Sequence, residues 1–309
     1  MHIRRRAGFL SAGALSLVMA VAACGSSNGD GPAAGSPSAA ATLSVVASTN
    51  VYGDIVKQIA GDRVTITSII NAPDADPHSY EANSRTQLEL SKANVVIENG
   101  GGYDDFVDTM LKAAGNSDAK VLDVVDISGK RASAGGELNE HVWYDFPTVE
   151  KLVTELVTVL SAKDPVGAAT FSAGAAAFTR KLRQMESTAA AVKAAHNGAA
   201  AAITEPVPLY LLEACGLVDK TPEEFSEAIE EGTDVPAGVL SATLDLFARK
   251  QISLLVYNEQ TAGAETEQVV AAARSNNVAV VPVTETLPAG QDYVSWMTGN
   301  LARIQKALG

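Results

Sequence analysis

The stretch Val64-Thr65-Ile66-Thr67-Ser68-Ile69-Ile70, followed by Ala75-Asp76-Pro77-His78-Ser79-Tyr80-Glu81, decides how this chain is read. The first seven residues are an apolar, β-branched run of the kind that forms a buried strand. His78 then falls on a loop just past the strand's carboxyl end, where open α/β sheets bind their ligands. Pro77 fixes its own φ and holds Asp76 extended, so the loop is stiff where it presents the imidazole. A neutral imidazole is the commonest transition-metal ligand. An isolated histidine is more often an ordinary surface or core residue, so the rest of the chain has to decide.

Strands and helices alternate on both sides of this stretch. Upstream, Leu43 to Ser48 reads as a strand, and Asn50 to Ala60 as a helix by the spacing of Val51, Ile55, Val56 and Ile59. Downstream come a helix over Ser84 to Lys92, a strand over Ala93 to Glu98, a helix over Asp104 to Ala114 and a strand over Val121 to Val125. Gly100-Gly101-Gly102 lacks the spacing and the lysine of a phosphate-binding loop and reads as a tight strand-to-helix turn. The alternation predicts an α/β fold with a parallel sheet covered on both faces. Asp126 to Leu138, rich in Gly, Ser and Ala, is expected to be a mobile loop. It leads into Asn139-Glu140-His141-Val142-Trp143-Tyr144-Asp145, and Pro147 opens a helix running to about Leu160. His141, on a loop among acids and aromatics, is either a plain surface residue or a second ligand.

Asp164 to His196 is the longest helical stretch, rich in alanine, with Phe171, Phe178, Leu182, Met185 and Val192 along one stripe. Some 30 residues give a rod of roughly 45 Å, long enough to cross a domain and separate two αβ halves. His196, at its C-terminal end, suits the helix dipole and is read as structural. A second series of strands follows: Ala199 to Thr204, Ser253 to Tyr257 and Val278 to Val283. Thr221 to Glu231 is acidic and reads as a solvated helix. Further helices are expected over Val235 to Lys250, Glu265 to Asn276 and Val294 to Leu308, with no convincing internal repeat. Glu205 and Glu285 each follow a strand of this second half. With 36 Asp and Glu in the chain, some acids fall there by chance. If both sheets point their carboxyl ends at one cleft, His78, His141, Glu205 and Glu285 converge. Two imidazoles and two carboxylates suit Zn²⁺ or Mn²⁺.

The N-terminus reads as a targeting signal. His2-Ile3-Arg4-Arg5-Arg6 precedes a short apolar run, Ala7 to Ala23, that ends in Val21-Ala22-Ala23-Cys24. Gly25 to Ala41, with Asp30 as its single charge, reads as a flexible spacer. The pattern resembles a bacterial lipoprotein signal, cut before Cys24 and lipidated there. An ordinary signal peptide with an incidental cysteine is the alternative. Without the three signal arginines, 20 Lys and Arg stand against 36 Asp and Glu, a balance that disfavours nucleic acid as a partner. Cys215 is the only cysteine besides Cys24, which excludes an intramolecular disulfide framework and a thiolate metal cluster. Its neighbours Leu211, Leu212, Ala214 and Leu217 mark it as a small buried residue.

On these segments the chain resembles the metal-binding lipoproteins of zinc/manganese ABC importers, the cluster A-I substrate-binding proteins. Residues 75–81 and 139–145 match the family's two histidine segments. Thr204-Glu205-Pro206 with Leu211-Leu212 matches the third-ligand segment, and Val283-Thr284-Glu285 the fourth. The resemblance implies two four-stranded parallel lobes joined by one backbone helix. It implies one divalent metal held between the lobes as transported ligand, and delivery to an ABC permease in the cytoplasmic membrane. It also implies a monomeric, non-enzymatic protein, lipid-anchored on the extracytoplasmic face of the membrane. The expected division is a signal peptide over 1–23, a tether over 24–42, lobes over 43–163 and 198–309, and a linking helix over 164–197. The chain departs from the family in three ways: it has no histidine in Asp126 to Leu138, it has Glu205 where some members carry His, and it has Glu285 where Asp is common. The rivals are a secreted metal-dependent hydrolase using three of the ligands plus water, a metal-binding surface adhesin and a relative of the siderophore binders. There is no H-E-x-x-H segment or nucleophile elbow to support the hydrolase.

Overall fold

A computed structural model describes residues 42–72, 80–81, 83–132 and 137–309. His78, Cys24, the expected signal and all of the expected tether but Thr42 lie outside the described residues. The elements run β1 (Leu43–Thr49), α1 (Asn50–Ala60), β2 (Val64–Ile70), α2 (Ser84–Lys92), β3 (Val95–Glu98), α3 (Phe106–Ala114), β4 (Lys120–Asp123), α4 (Val124–Ser128) and α5 (Phe146–Lys163). The long α6 (Ala168–His196) follows. Then come β5 (Ala200–Ile203), α7 (Leu209–Ala214), β6 (Val218–Asp219), α8 (Glu223–Glu230), α9 (Ala237–Ala248), β7 (Leu254–Asn258), α10 (Ala264–Ser275), β8 (Ala279–Val283) and α11 (Tyr293–Leu308).

The strands form two four-stranded sheets, ordered β2-β1-β3-β4 and β6-β5-β7-β8. Every pairing recorded is parallel. The two halves thus share one topology without a visible sequence repeat. In each sheet the strand order reverses between the first and third strands, and the crevice at such a switch point is the natural ligand site. Alternate side chains face opposite ways. Val45, Ala47, Val95 and Ile97 of the first sheet, with Ala201, Ile203, Leu254 and Val256 of the second, enter one continuous core. Val46 and Val96 pack under α2 and α3 with Leu90 and Val107. Ala202 and Leu255 pack with Phe225, Phe247 and Val269 of α8 to α10.

Helix α6 runs for 29 residues, about 43 Å at the α-helical rise. Its stripe of Phe171, Ala175, Phe178, Leu182, Met185, Ala189 and Val192 lies buried in the continuous core. The structure corrects two local expectations. The strand expected to reach Val125 ends at Asp123, whose carboxylate accepts the Asp126 amide and caps α4; Gly129 closes that turn at φ 72°. The opening of the expected Asp126 to Leu138 loop is therefore helical. β6 has only two residues, too few to leave a periodic signal. Gly100, Gly101 and Gly102 all take positive φ, as a tight turn after β3 requires.

Candidate metal centre

Three of the four candidate ligands lie beyond the carboxyl ends of the strands, with Glu285 between His141 and Glu205. Glu205 lies two residues past β5, and Glu285 two residues past β8. His141 immediately precedes the short turn Val142–Tyr144. They are 1%, 1% and 0% exposed, respectively. His141 Nε2 lies 3.8 Å from Glu285 Oε2. The amide of Asn258, last residue of β7, donates to Glu205 Oε2 and, at 2.8 Å, to Glu285 Oε1. β5 and β7 are the adjacent strands at which the second sheet's order reverses, so Asn258 joins the two carboxylates at the switch point.

The surrounding residues fix these side chains. Asn139 Oδ1 lies 2.9 Å from His141 Nδ1 and accepts the His141 backbone N–H at 3.0 Å. With Nδ1 carrying the proton toward this oxygen, Nε2 is the atom turned to the carboxylates. Asn139 is held in turn: its Nδ2 donates to the Pro206 carbonyl, and its own carbonyl accepts from the Tyr210 hydroxyl. Asn258 Oδ1 accepts the Gln260 backbone N–H, which directs its NH₂ at Glu205 and Glu285. Gln260 Oε1 accepts the backbone N–H groups of Glu285 and Thr286, holding the loop that carries the fourth candidate. The Tyr103 hydroxyl donates to Glu285 Oε2 at 3.2 Å. The rings of Tyr103 and Trp143 flank the His141 imidazole at centroid distances of 5.9 and 5.1 Å.

Burial and charge oppose each other here. Burial alone pushes the His141 imidazole down. The Glu285 carboxylate 3.8 Å away, with the charges of Glu230 and Glu140, outweighs this and raises its pKa to about 9. Burial raises Glu205 to about 7, with the Thr261 hydroxyl pulling it back, Glu285 pushing it further up, and Asn258 and His141 pulling down. Glu205 Oε1 is buried without a completed hydrogen bond among the described residues, as is the Thr261 hydroxyl. A buried acceptor of this kind is costly unless a cation or proton occupies it. An imidazole nitrogen with converging carboxylate oxygens is a donor set for a divalent transition metal.

Two residues of the centre were missed by the sequence reading. Asn258 follows a strand as Glu205 and Glu285 do, but an amide is not an obvious metal ligand. Glu230 belongs to the helix read as merely solvated, yet its Oε1 lies 3.5 Å from His141 Nε2. Glu140, His141 and Glu230 form a group whose ligand atoms all lie within 4.8 Å of one another. Beside it opens a cavity of about 750 Å³, lined by Glu137, Glu140, Glu223, Glu227, Glu230 and Glu231 among others.

The family model described as zinc-uptake complex component A, periplasmic (ZnuA), matches residues 45–307. The chain is similar to the manganese-binding lipoprotein MntA of Halalkalibacterium halodurans, with 31% identity over 147 residues, 47% of each chain. It is also similar to the manganese ABC transporter substrate-binding lipoprotein PsaA of Streptococcus pneumoniae, with 25% identity over 247 residues, 71% of this chain and 78% of PsaA. The chain spans about half the length of most of the curated relatives it matches. The crystal structure of ZnuA superposes with a TM-score of 0.70 at 19% identity, covering 86% of this chain and 97% of that one, a likeness of fold.

Proposed function

The chain belongs to the family of the periplasmic component A of zinc-uptake complexes, and we propose from this that it captures one divalent transition-metal ion, Zn²⁺ or Mn²⁺, and passes it to an ABC permease in the cytoplasmic membrane. The ion is cargo, and the protein acts by binding rather than catalysis. The observation that carries the reading is the buried imidazole of His141, its Nδ1 held by Asn139 and its Nε2 turned to the carboxylate of Glu285, which Asn258 joins to Glu205. We assign His141, Glu205 and Glu285 as ligands, with His78 as the fourth from its sequence segment. Four protein ligands fill a tetrahedral shell and leave no position for a reacting water, the condition for holding an ion rather than hydrolysing a substrate. The proposal extends to a signal peptide over 1–23, lipidation at Cys24, a tether over 24–42, and lobes over 43–163 and 198–309 joined by the helix over 164–197. The anchored monomer would face outward from the cytoplasmic membrane.

Names of relatives point to manganese and to iron, the family model to zinc, and an imidazole with carboxylates accepts any of them. Carboxylate oxygen favours Mn²⁺, whereas Zn²⁺ is bound more tightly by most donor sets. The test is a titration of chelator-stripped protein with each ion alone and both together, reading bound stoichiometry and thermal stabilisation. One ion per chain is expected, with binding lost in His141→Ala and in His78→Ala. Absence of stoichiometric metal under all conditions, or undiminished affinity in either variant, refutes the assignment.

A further inference from the structure

We propose that Glu230 is a metal-contacting residue of this chain: it receives the cation from the acidic cavity and coordinates it beside His141. The inference rests on the metal-capture reading above and adds a fifth donor that the sequence segments do not contain, expanding the shell from four- to five-coordinate. Its first support is distance. Neighbouring donor atoms around a five-coordinate ion with bonds near 2.1 Å sit about 3.0–3.6 Å apart. Glu230 Oε1 and His141 Nε2 are 3.5 Å apart, closer to that spacing than the 3.8 Å between His141 Nε2 and Glu285 Oε2. The imidazole is fully buried, and Glu230 also lines the cavity. Glu230 therefore connects the cavity with the buried imidazole of His141.

The second support is its place in the helix. Glu230 is the last residue of α8, at the negative end of the dipole, where an acid is unfavourable. Helix stability does not account for it. The helix is nonetheless held firmly there: Phe225, Ser226 and Ala228 are buried, and Gly232 turns the chain at φ 63°. The Thr233 backbone N–H donates to the Ala228 carbonyl at 2.9 Å. A well-anchored helix thus carries a carboxylate to the imidazole against its own electrostatic preference.

The third support is the cavity. Its walls carry six glutamates and Asp219, and among the described residues no Lys, Arg or His lines it. A concave surface of one sign concentrates ions of the other. A further oxygen donor would shift the centre toward an ion that tolerates more oxygen and a higher coordination number, Mn²⁺ rather than Zn²⁺.

The experiment compares the full chain with Glu230→Gln, Glu227→Gln and His141→Ala, titrated with MnCl₂ and ZnCl₂ against a competing chelator. Glu227 lines the same cavity three residues earlier and controls for loss of charge alone. Glu230→Gln should weaken Mn²⁺ by at least about tenfold, the lower end of what supporting groups of metal sites contribute. It should weaken Zn²⁺ less, and Glu227→Gln should weaken both ions only slightly. X-ray absorption on the Mn²⁺ complex should show one fewer oxygen or nitrogen neighbour in Glu230→Gln. Equal losses in Glu230→Gln and Glu227→Gln, unchanged or tighter binding, or an unchanged coordination number would overturn the contact while leaving the metal-capture reading standing. If the unmodified chain takes up neither ion, or His141→Ala binds as tightly as it does, the metal-capture reading itself fails, and the Glu230 inference with it.

Discussion

Asn139 and Asn258 organise the candidate centre through hydrogen bonds. Asn139 decides which imidazole nitrogen faces inward, and Asn258 keeps two carboxylates side by side with a neutral donor. In the metal-free protein His141 keeps its extra proton up to about pH 9, and Glu205 its proton up to about pH 7. Both values lie above those of the unfolded chain, so this proton binding favours the metal-free fold at low pH and is lost as pH rises through the folded values. A metal must displace the same protons. Apparent affinity should therefore rise with pH, by about tenfold per unit between 7 and 9 and more steeply below 7, with the ion's thermal stabilisation growing in parallel. Titrations at pH 6, 7 and 8 check this, and a flat profile would contradict it. The candidate ligands were legible in the sequence because each follows a predicted strand or sits in a recognisable histidine segment. Glu230 was not: which way the last turn of an acidic helix faces depends on how Phe225 seats α8 in the outer core.

Among the elements, α6 shows how closely two backbones can approach. A Cβ on Gly174 would lie 2.2 Å from the Ile59 carbonyl oxygen and 2.8 Å from its carbon, both backbone atoms of α1. Alanine in place of glycine ordinarily strengthens a helix by up to about 1 kcal/mol. At Gly174 the sign should reverse, with a loss of about 1–3 kcal/mol from overpacking. Thermal melting of Gly174→Ala checks this, and a raised melting temperature would show that the two helices can move apart. The alternation of strands and helices, and the long helix with its stripe, could be read from the sequence because apolar periodicity records burial directly. The end of β4 could not, because Val124 and Val125 look like strand residues. A single cap from Asp123 turns them into α4. β6 owes its assignment to pairing with β5 alone.

At the scale of the whole molecule, the two sheets are tied by more than α6. Asn50, first residue of α1, donates to the Leu287 carbonyl at 3.1 Å and accepts the Leu287 N–H at 2.8 Å. Asp54 accepts the Tyr293 N–H, the Tyr293 hydroxyl donates to the Trp143 carbonyl, and the Tyr144 hydroxyl donates to the Thr284 carbonyl. These bonds brace the loop of Glu285 against the first half of the chain; if that loop holds an ion, release should need local loosening there rather than a wide hinge. Asn50→Ala should raise the rate of metal release by about tenfold, the effect of losing roughly 1.4 kcal/mol of bracing. Chelator-chase kinetics measure that rate, and an unchanged rate would place the gate elsewhere. The same bracing bears on how the protein is made. Asn50 and Asp54 wait for partners more than 230 positions further along the chain, and α11 supplies Trp296, Leu301 and Ile304 to the core shared by both sheets. Such distant pairings are slow to form because a long loop must close before they are rewarded. A nascent chain should therefore leave these contacts of its first half open until the last helix has been synthesised, and the candidate metal centre should be among the last parts of the protein to form.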